Sequence, residues 1–357
     1  MAGIFAISTR TATRSPRLAF RGMIRVGLVG YGLAGATFHV PLIRACPRMR
    51  LSAIQTSREA PDRVGSFDDL IERSDLIVIA SPNQTHFPLA RRALEAGKHV
   101  VVDKPFAITV DEADALIALA GERRRVLTVF QNRRLDGDFL TVRKLLPPLR
   151  ELSLFEANWD RFRPAIKQGW REIAQPGGGV LNDLGSHLID HALQLFGLPD
   201  AIQADVQRQR AQARVDDYFE LILFYGRMRA CLRCSTLIAE PRPRFAVHGS
   251  GGSFVKFGID VQEAQLKAGM NPRDPTFGID EHAGTFTSPD GTRTSVPTER
   301  GRYFDFYDAV ASAILEGAPV PVEPADSRDG LMLIDLARRS SALGQQLAVP
   351  GASSREA

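Results

Sequence analysis

Apolar residues in the first third of the chain come in short unbroken runs. Val26–Val29, Leu51–Thr56, Asp75–Ala80, His99–Val102 and Val126–Phe130 each have the length of a strand covered on both faces. Between them the spacing turns helical, most clearly in the amphipathic stretch Asp111–Arg124. Strands alternating with helices predict βα units and a parallel sheet. From Glu151 the pattern changes. Glu151–Trp159, Asp217–Tyr225, Arg229–Leu237, Phe245–Gly249 and Ser253–Phe257 largely alternate apolar with polar, which predicts antiparallel strands of an open sheet. Gly301–Leu315 and Leu331–Leu347 carry helical periodicity. No repeat and no low-complexity linker interrupts the chain. The expected organisation is a leader or mis-assigned start over 1–22, a first domain over 23–131, a second over 132–349 and a frayed tail over 350–357.

The first strand runs into Gly30-Tyr31-Gly32-Leu33-Ala34-Gly35, and the residues after it suit a helix. Strand, glycine turn and helix in that order form the dinucleotide-binding fingerprint. Gly30 permits the tight turn, Gly32 lets the backbone approach a pyrophosphate, and Gly35 lets helix pack on strand. Leu33 and Ala34 complete the turn, and the helix N-terminus offers its free N–H groups to the phosphates. The fold class is therefore an α/β Rossmann domain followed by an α+β domain on an open, mostly antiparallel sheet. At the tip of the second strand, where NAD-binding proteins place a carboxylate on the ribose, the chain reads Gln55-Thr56-Ser57-Arg58. A hydroxyl beside a guanidinium suits a 2′-phosphate, so NADP is expected over NAD. A solvated Arg58 with use of either cofactor is the alternative. Strand ends in such sheets face the ligand crevice. That makes Ser81, Asn83 and His86 candidates for cofactor contacts, although Asn and Thr here also suit helix capping. Lys104 sits at the tip of the next strand and is stiffened by Pro105; anywhere else it would be an ordinary solvated lysine. Asn132 leaves the last strand on the same edge. His39 is expected to be structural.

In the second domain the informative stretch is Pro176-Gly-Gly-Gly-Val-Leu-Asn-Asp183-Leu-Gly-Ser-His187. The glycines let backbone approach a ligand before a helix opens. Asp183 and His187 are four apart, on one helical face. A carboxylate there is expected to raise the imidazole's proton affinity and orient it as a base for a hydroxyl proton. A structural helix pair is the competing reading. His191, one turn on, is expected in the core or behind the site. Trp159, Arg161 and Arg163 alternate onto one face at a strand end. They suit a polyol pocket, with Arg163 the substrate candidate, or equally a sheet core with surface arginines.

Gly-Tyr-Gly-x-x-Gly, Ala-Ser-Pro-Asn-x-x-His, Ala-Gly-Lys-His-Val-x-x-Asp-Lys-Pro and Phe-Gln-Asn-Arg-Arg resemble the glucose–fructose oxidoreductase / inositol dehydrogenase (Gfo/Idh/MocA) family, to the C-terminus of the chain. Asp103 stands where the family usually has Glu. Asp-Lys-Pro-Phe with Thr-Ser-Arg is similar to the NADP-dependent scyllo-inositol dehydrogenase branch. The resemblance implies Lys104, Asp183 and His187 as the catalytic group, which would also contact substrate, and a homodimer or homotetramer. The expected activity is hydride transfer between NADP and a secondary alcohol of a cyclitol or sugar. Another sugar or imine substrate, or a non-catalytic nucleotide-sensing regulator, are the alternatives.

Charge and cysteines exclude other classes. Arg10, Arg14, Arg17 and Arg21 all fall in the acid-free residues 1–22, which suit either a transit peptide or an upstream start before Met23, the second being preferred. Without those four the formal charge drops from +4 to zero, so a nucleic-acid partner is not expected. No apolar run has membrane-spanning length. Cys231 and Cys234 lie at an odd spacing in a strand, and no second Cys/His pair completes a metal site. All three cysteines are read as reduced residues of a cytoplasmic protein with no metal.

Overall fold

The computed structural model describes residues 22–166, 172 and 177–352. The expectations for residues 1–21 and 353–357, and the start of the glycine run at Pro176, lie outside the described residues.

The first layer is a parallel sheet of six strands: β1 (Ile24–Val29), β2 (Met49–Gln55), β3 (Arg63–Val64), β4 (Leu76–Ile79), β5 (His99–Asp103) and β6 (Leu127–Phe130). Their order is β3-β2-β1-β4-β5-β6, every neighbouring pair parallel. β4 is buried at all four positions, as a strand between two helical layers must be. The helices are α1 (Val40–Ala45), α2 (Phe67–Glu72), α3 (His86–Glu95) and α4 (Val110–Arg123). Their starts are encoded locally. Ser66 and Asp69 form a reciprocal capping box on α2, and Thr109 Oγ1 accepts from Glu112 N at 3.2 Å on α4. A π-helical turn, Ala34–His39, leads into α1.

The chain then forms α5 (Gly137–Leu149), β7 (Leu152–Asn158), α6 (Ser186–Phe196), β8 (Ala201–Gln207), β9 (Tyr218–Tyr225), β10 (Met228–Ser235), β11 (Phe245–Gly249) and β12 (Gly252–Lys256). After these come α7 (Gln262–Lys267), β13 (Gly284–Thr287), β14 (Arg293–Val296), α8 (Phe304–Glu316), α9 (Pro324–Leu343) and β15 (Leu347–Ala348). The second sheet has the order β14-β13-β12-β11-β7-β10-β9-β8-β15. It is antiparallel except at its centre, where β7 and β10 run parallel. A helical crossover and two strands separate that pair in sequence, so the chain returns in the same direction. β9 alternates buried and half-buried along its whole length, the signature expected of one covered face.

Two cores result. The second contains Phe155, Phe219, Phe245 and Leu188, among others. The first is centred on the parallel sheet but is completed by residues far along the chain: Tyr303, Phe306, Tyr307, Val310 and Ala311 of α8 and its approach, with Val322 beyond it. Fully buried His39 meets the Tyr307 hydroxyl through Nδ1 at 2.6 Å, and Thr128 Oγ1 donates to the Val322 carbonyl at 2.7 Å. Cys46, Cys231 and Cys234 are free and buried.

Candidate functional site

In the first sheet the strand order reverses between β1 and β4, which opens a crevice at the carboxyl ends of these strands. A cleft of about 1220 Å³ occupies it and continues onto the second sheet. Every site residue expected from sequence lines this cleft except Gly35.

At the glycine turn each residue answers a different constraint. Gly30 has φ +93°, and a Cβ there would lie 2.4 Å from the Ala80 carbonyl oxygen. A Cβ on Gly35 would lie 2.1 Å from the Gly30 oxygen, so Gly35 works behind the wall, packing turn on turn. A Cβ on Gly32 would meet nothing within 4 Å, because Gly32 faces the open cleft beside Leu33 and Ala34. That open flank at a helix start is the space a dinucleotide phosphate needs. Thr56, Ser57 and Arg58 form the far rim, the last two exposed, and Thr56 Oγ1 accepts from Arg58 N at 3.1 Å. Arg63 on β3 joins them, a second guanidinium that the sequence pattern did not single out.

The loop after β4 is knitted inward. His86 places Nδ1 2.8 Å from the Pro105 carbonyl and Nε2 2.9 Å from the Ser81 carbonyl. Both ring nitrogens are thus spent on backbone, and His86 fixes the Ser81 loop against the Lys104–Pro105 turn. Ser81 and Thr85 join through their hydroxyls at 2.5 Å. Neither Asn83 nor Thr85 caps a helix through its side chain. Buried Asn83 Nδ2 has no hydrogen-bond partner among the described residues and abuts Gly177, where a Cβ would lie 2.3 Å from it. An orphaned amide in the cleft wall fits a nucleotide that supplies an acceptor. Asn132, on the helical turn Asn132–Leu135, is buried and lines the same cleft.

The far end joins the two halves of the protein. Lys104 Nζ donates to Asp183 Oδ1 at 2.9 Å and to the Asp183 carbonyl at 2.7 Å. Asp183 lies in a π-helical turn, Leu181–Gly185, and His187 in the first turn of α6. His187 is buried, Nδ1 has no hydrogen-bond partner among the described residues, and its ring centroid is 5.8 Å from that of Trp159. Here the structure corrects an expectation. Burial first, then the charges of Lys104, Arg133 and Arg244, push the His187 imidazole well below its ordinary value. The Asp183 carboxylate lies on Lys104, and cations surround the ring, so its proton affinity falls where the i,i+4 spacing suggested a rise. His191 is a core residue as read, stacked on Phe139 at 4.2 Å with Nε2 3.1 Å from the Arg133 carbonyl.

Trp159 serves both expectations for it, buried in the second core and lining the cleft. Three guanidinium groups surround its ring: Arg244 at 4.3 Å, Arg133 at 5.1 Å and Arg161 at 5.9 Å. Arg163 is exposed at the rim. Arg133, which the sequence showed within the Phe-Gln-Asn-Arg-Arg motif but without a role at the site, also lines the cleft. It donates to the Tyr303 hydroxyl at 2.8 Å and pairs with Glu263. Glu263 and Lys267, 2.5 Å apart on α7, also line the cleft, but an i,i+4 ion pair on a helix carries no signal separating it from a solvated face.

Residues 24–131 match the model of the Gfo/Idh/MocA oxidoreductase family's NAD-binding Rossmann fold, and residues 148–349 match that of its C-terminal alpha/beta domain. Among curated relatives, the uncharacterized oxidoreductase YdgJ of Escherichia coli is 42% identical over 335 residues, covering 89% of this chain and 96% of its own. The scyllo-inositol 2-dehydrogenase (NADP(+)) IolW of Bacillus subtilis is 36% identical over 335 residues, covering 89% and 94%. Among solved structures, YPO2259 of Yersinia pestis superposes with a TM-score of 0.89 at 40% identity, covering 94% of this chain and all of its own. YvaA of Bacillus subtilis does so with 0.90 at 35%, with the same coverage.

Proposed function

Because the chain belongs to the Gfo/Idh/MocA oxidoreductase family, and is thus an enzyme with a nicotinamide-dinucleotide-binding Rossmann domain, we propose that it is an NADP-dependent dehydrogenase of a secondary alcohol in a cyclitol or sugar. One observation carries this reading. Lys104 from the β5 tip and the Asp183–His187 turn from the second half meet in the same cleft as the glycine turn. The relative named as an NADP-dependent scyllo-inositol dehydrogenase supports both the substrate class and the cofactor.

Gly30, Gly32, Leu33 and Ala34 would hold the pyrophosphate, Ser57 and Arg58 the 2′-phosphate, and Ser81, Asn83 and Asn132 the nicotinamide half. The nicotinamide, when bound, supplies or accepts the hydride. Neutral imidazole at His187 can accept a hydroxyl proton, because its lowered affinity keeps it unprotonated at neutral pH. The Lys104 ammonium, fixed by two bonds to Asp183, stabilises negative charge growing on the reacting oxygen. Asp183 acts by positioning Lys104. In the reverse direction the same groups serve ketone reduction.

A panel of inositols and sugars assayed with NADP and with NAD, followed by absorbance of the reduced cofactor, tests this. Turnover at kcat/KM at least about ten-fold higher with NADP is expected, since a charge-assisted hydrogen bond contributes about 1.5–3 kcal/mol. Arg58→Ala should remove most of that preference. Activity confined to NAD would overturn the cofactor assignment.

A further inference from the structure

Among the described residues, the charges at the substrate end of the cleft do not balance, and the excess has a defined place. Asp183 lies on Lys104, and Glu263 is shared between Arg133 and Lys267. Arg161 and Arg163 remain. Among the described residues the Arg161 guanidinium has no hydrogen bond or ion pair. It touches the Trp159 ring, which in turn neighbours His187. The acid next to it in sequence is already taken, since Asp160 accepts from Arg242 Nε and Nη2 at 2.8 and 2.7 Å. Glu172 is likewise taken, by Arg210 at 2.8 Å.

The backbone holds this arginine firmly. Arg161 N donates to the Ser235 carbonyl at 2.9 Å and the Arg161 carbonyl accepts from Ile238 N at 3.2 Å. Arg163 N donates to the Thr236 carbonyl at 2.6 Å, and Arg210 Nη1 reaches the Arg163 carbonyl at 3.3 Å. Burial pulls the Arg161 guanidinium below its ordinary value, only partly offset by Asp183. A half-buried guanidinium that no carboxylate of the described residues hydrogen-bonds is costly to maintain, and an anion with two oxygens in its plane offsets that cost.

We propose that Arg161, with Arg163 at the rim, is an anion subsite, and that the substrate is the acidic form of a hydroxylated ring: a carboxylate or phosphate ester beside the alcohol that is oxidised. This rests on the dehydrogenase reading above and narrows its substrate class. Arg161 acts in binding and orientation only, and no bond to the anion is made or broken.

The test uses the full-length enzyme with NADPH bound. D-Glucuronate, D-galacturonate and D-glucose 6-phosphate are compared with D-glucose and D-galactose by titration calorimetry, and NADP reduction is read on the same panel. The acidic member of each pair should bind at least about ten-fold more tightly, an advantage that added salt erodes. Arg161→Gln should bring the ratio of acidic to neutral affinity towards one, with Arg161→Lys between, while NADPH affinity reports that each variant is folded. Stronger binding of the uronates than of the sugar phosphate assigns a carboxylate, and the reverse a phosphate. Neutral sugars that bind as tightly as acidic ones, or a ratio indifferent to Arg161→Gln, overturn the subsite. Preferential binding of acids with no NADP reduction by any compound instead overturns the dehydrogenase reading and leaves the subsite standing.

Discussion

His187 shows how far a single side chain depends on what surrounds it. Its neighbours in sequence suggest a base strengthened by a carboxylate, yet its neighbours in space are a buried wall, an ammonium and two guanidinium groups. On the proposed chemistry, His187→Ala or Lys104→Ala should lower kcat by roughly 10²–10⁴ with little change in NADPH affinity. Lost cofactor binding with chemistry intact would reject the assignment. Because the imidazole is held well below its ordinary value, the acid limb of kcat/KM should lie well below pH 6.5. Lys104→Met removes one of the opposing charges, so the His187 ring titration, followed by NMR, should move upward. Stability has the same sign. His187, His191 and His99, the last held down to about 4 chiefly by burial, are uncharged in the folded protein. Their contribution is full above the unfolded value near 6.5 and is lost as pH falls through the folded values. The Tm should therefore decline between about pH 6.5 and 4, and a Tm flat across that range would contradict it.

At the scale of elements, the glycine turn makes a contrast that sequence alone cannot rank. Gly35→Ala drives a methyl onto the Gly30 carbonyl, whereas Gly32→Ala points one into open space. The first should lower Tm, by a destabilisation of about 1–3 kcal/mol or more. The second should leave Tm within a degree or two, about 0.5 kcal/mol, and instead weaken NADP binding. Equal melting losses would mean the two glycines have been assigned the wrong way round. Five of the six parallel strands were legible because each is a mostly apolar run closed by a turn; β3, two residues with Arg63 exposed, was not. β13 and β14 were not, because Gly284–Thr287 and Arg293–Val296 are four-residue strands that bury too little to show a period. The site divides the same way. Lys104, Arg133, Asp183 and His187 stand in motifs, whereas Glu263 reaches the cleft through a contact with a segment 130 residues away.

For the whole molecule, the two sheets share more than a cleft. Lys104 and Asp183 link the halves at the site, and α8 links them behind it, where Tyr307 meets His39 and Phe306 packs edge-on against Phe130 at 4.9 Å. A fragment ending at Gln131 would expose that face of the sheet and leave His39 without its hydroxyl partner. It should show no cooperative melt and bind no NADP, checked by circular dichroism and cofactor titration. A sharp transition in the fragment would show that the first core suffices alone. The placement of α8 also constrains how the protein is made. A ribosome delivers the glycine turn early, yet the tyrosines that close the hydrophobic interior around it emerge some 170 residues later than β6. The nascent nucleotide half therefore waits, open on one side, until most of the polypeptide has been translated, and chaperone demand in this enzyme should fall on that interval.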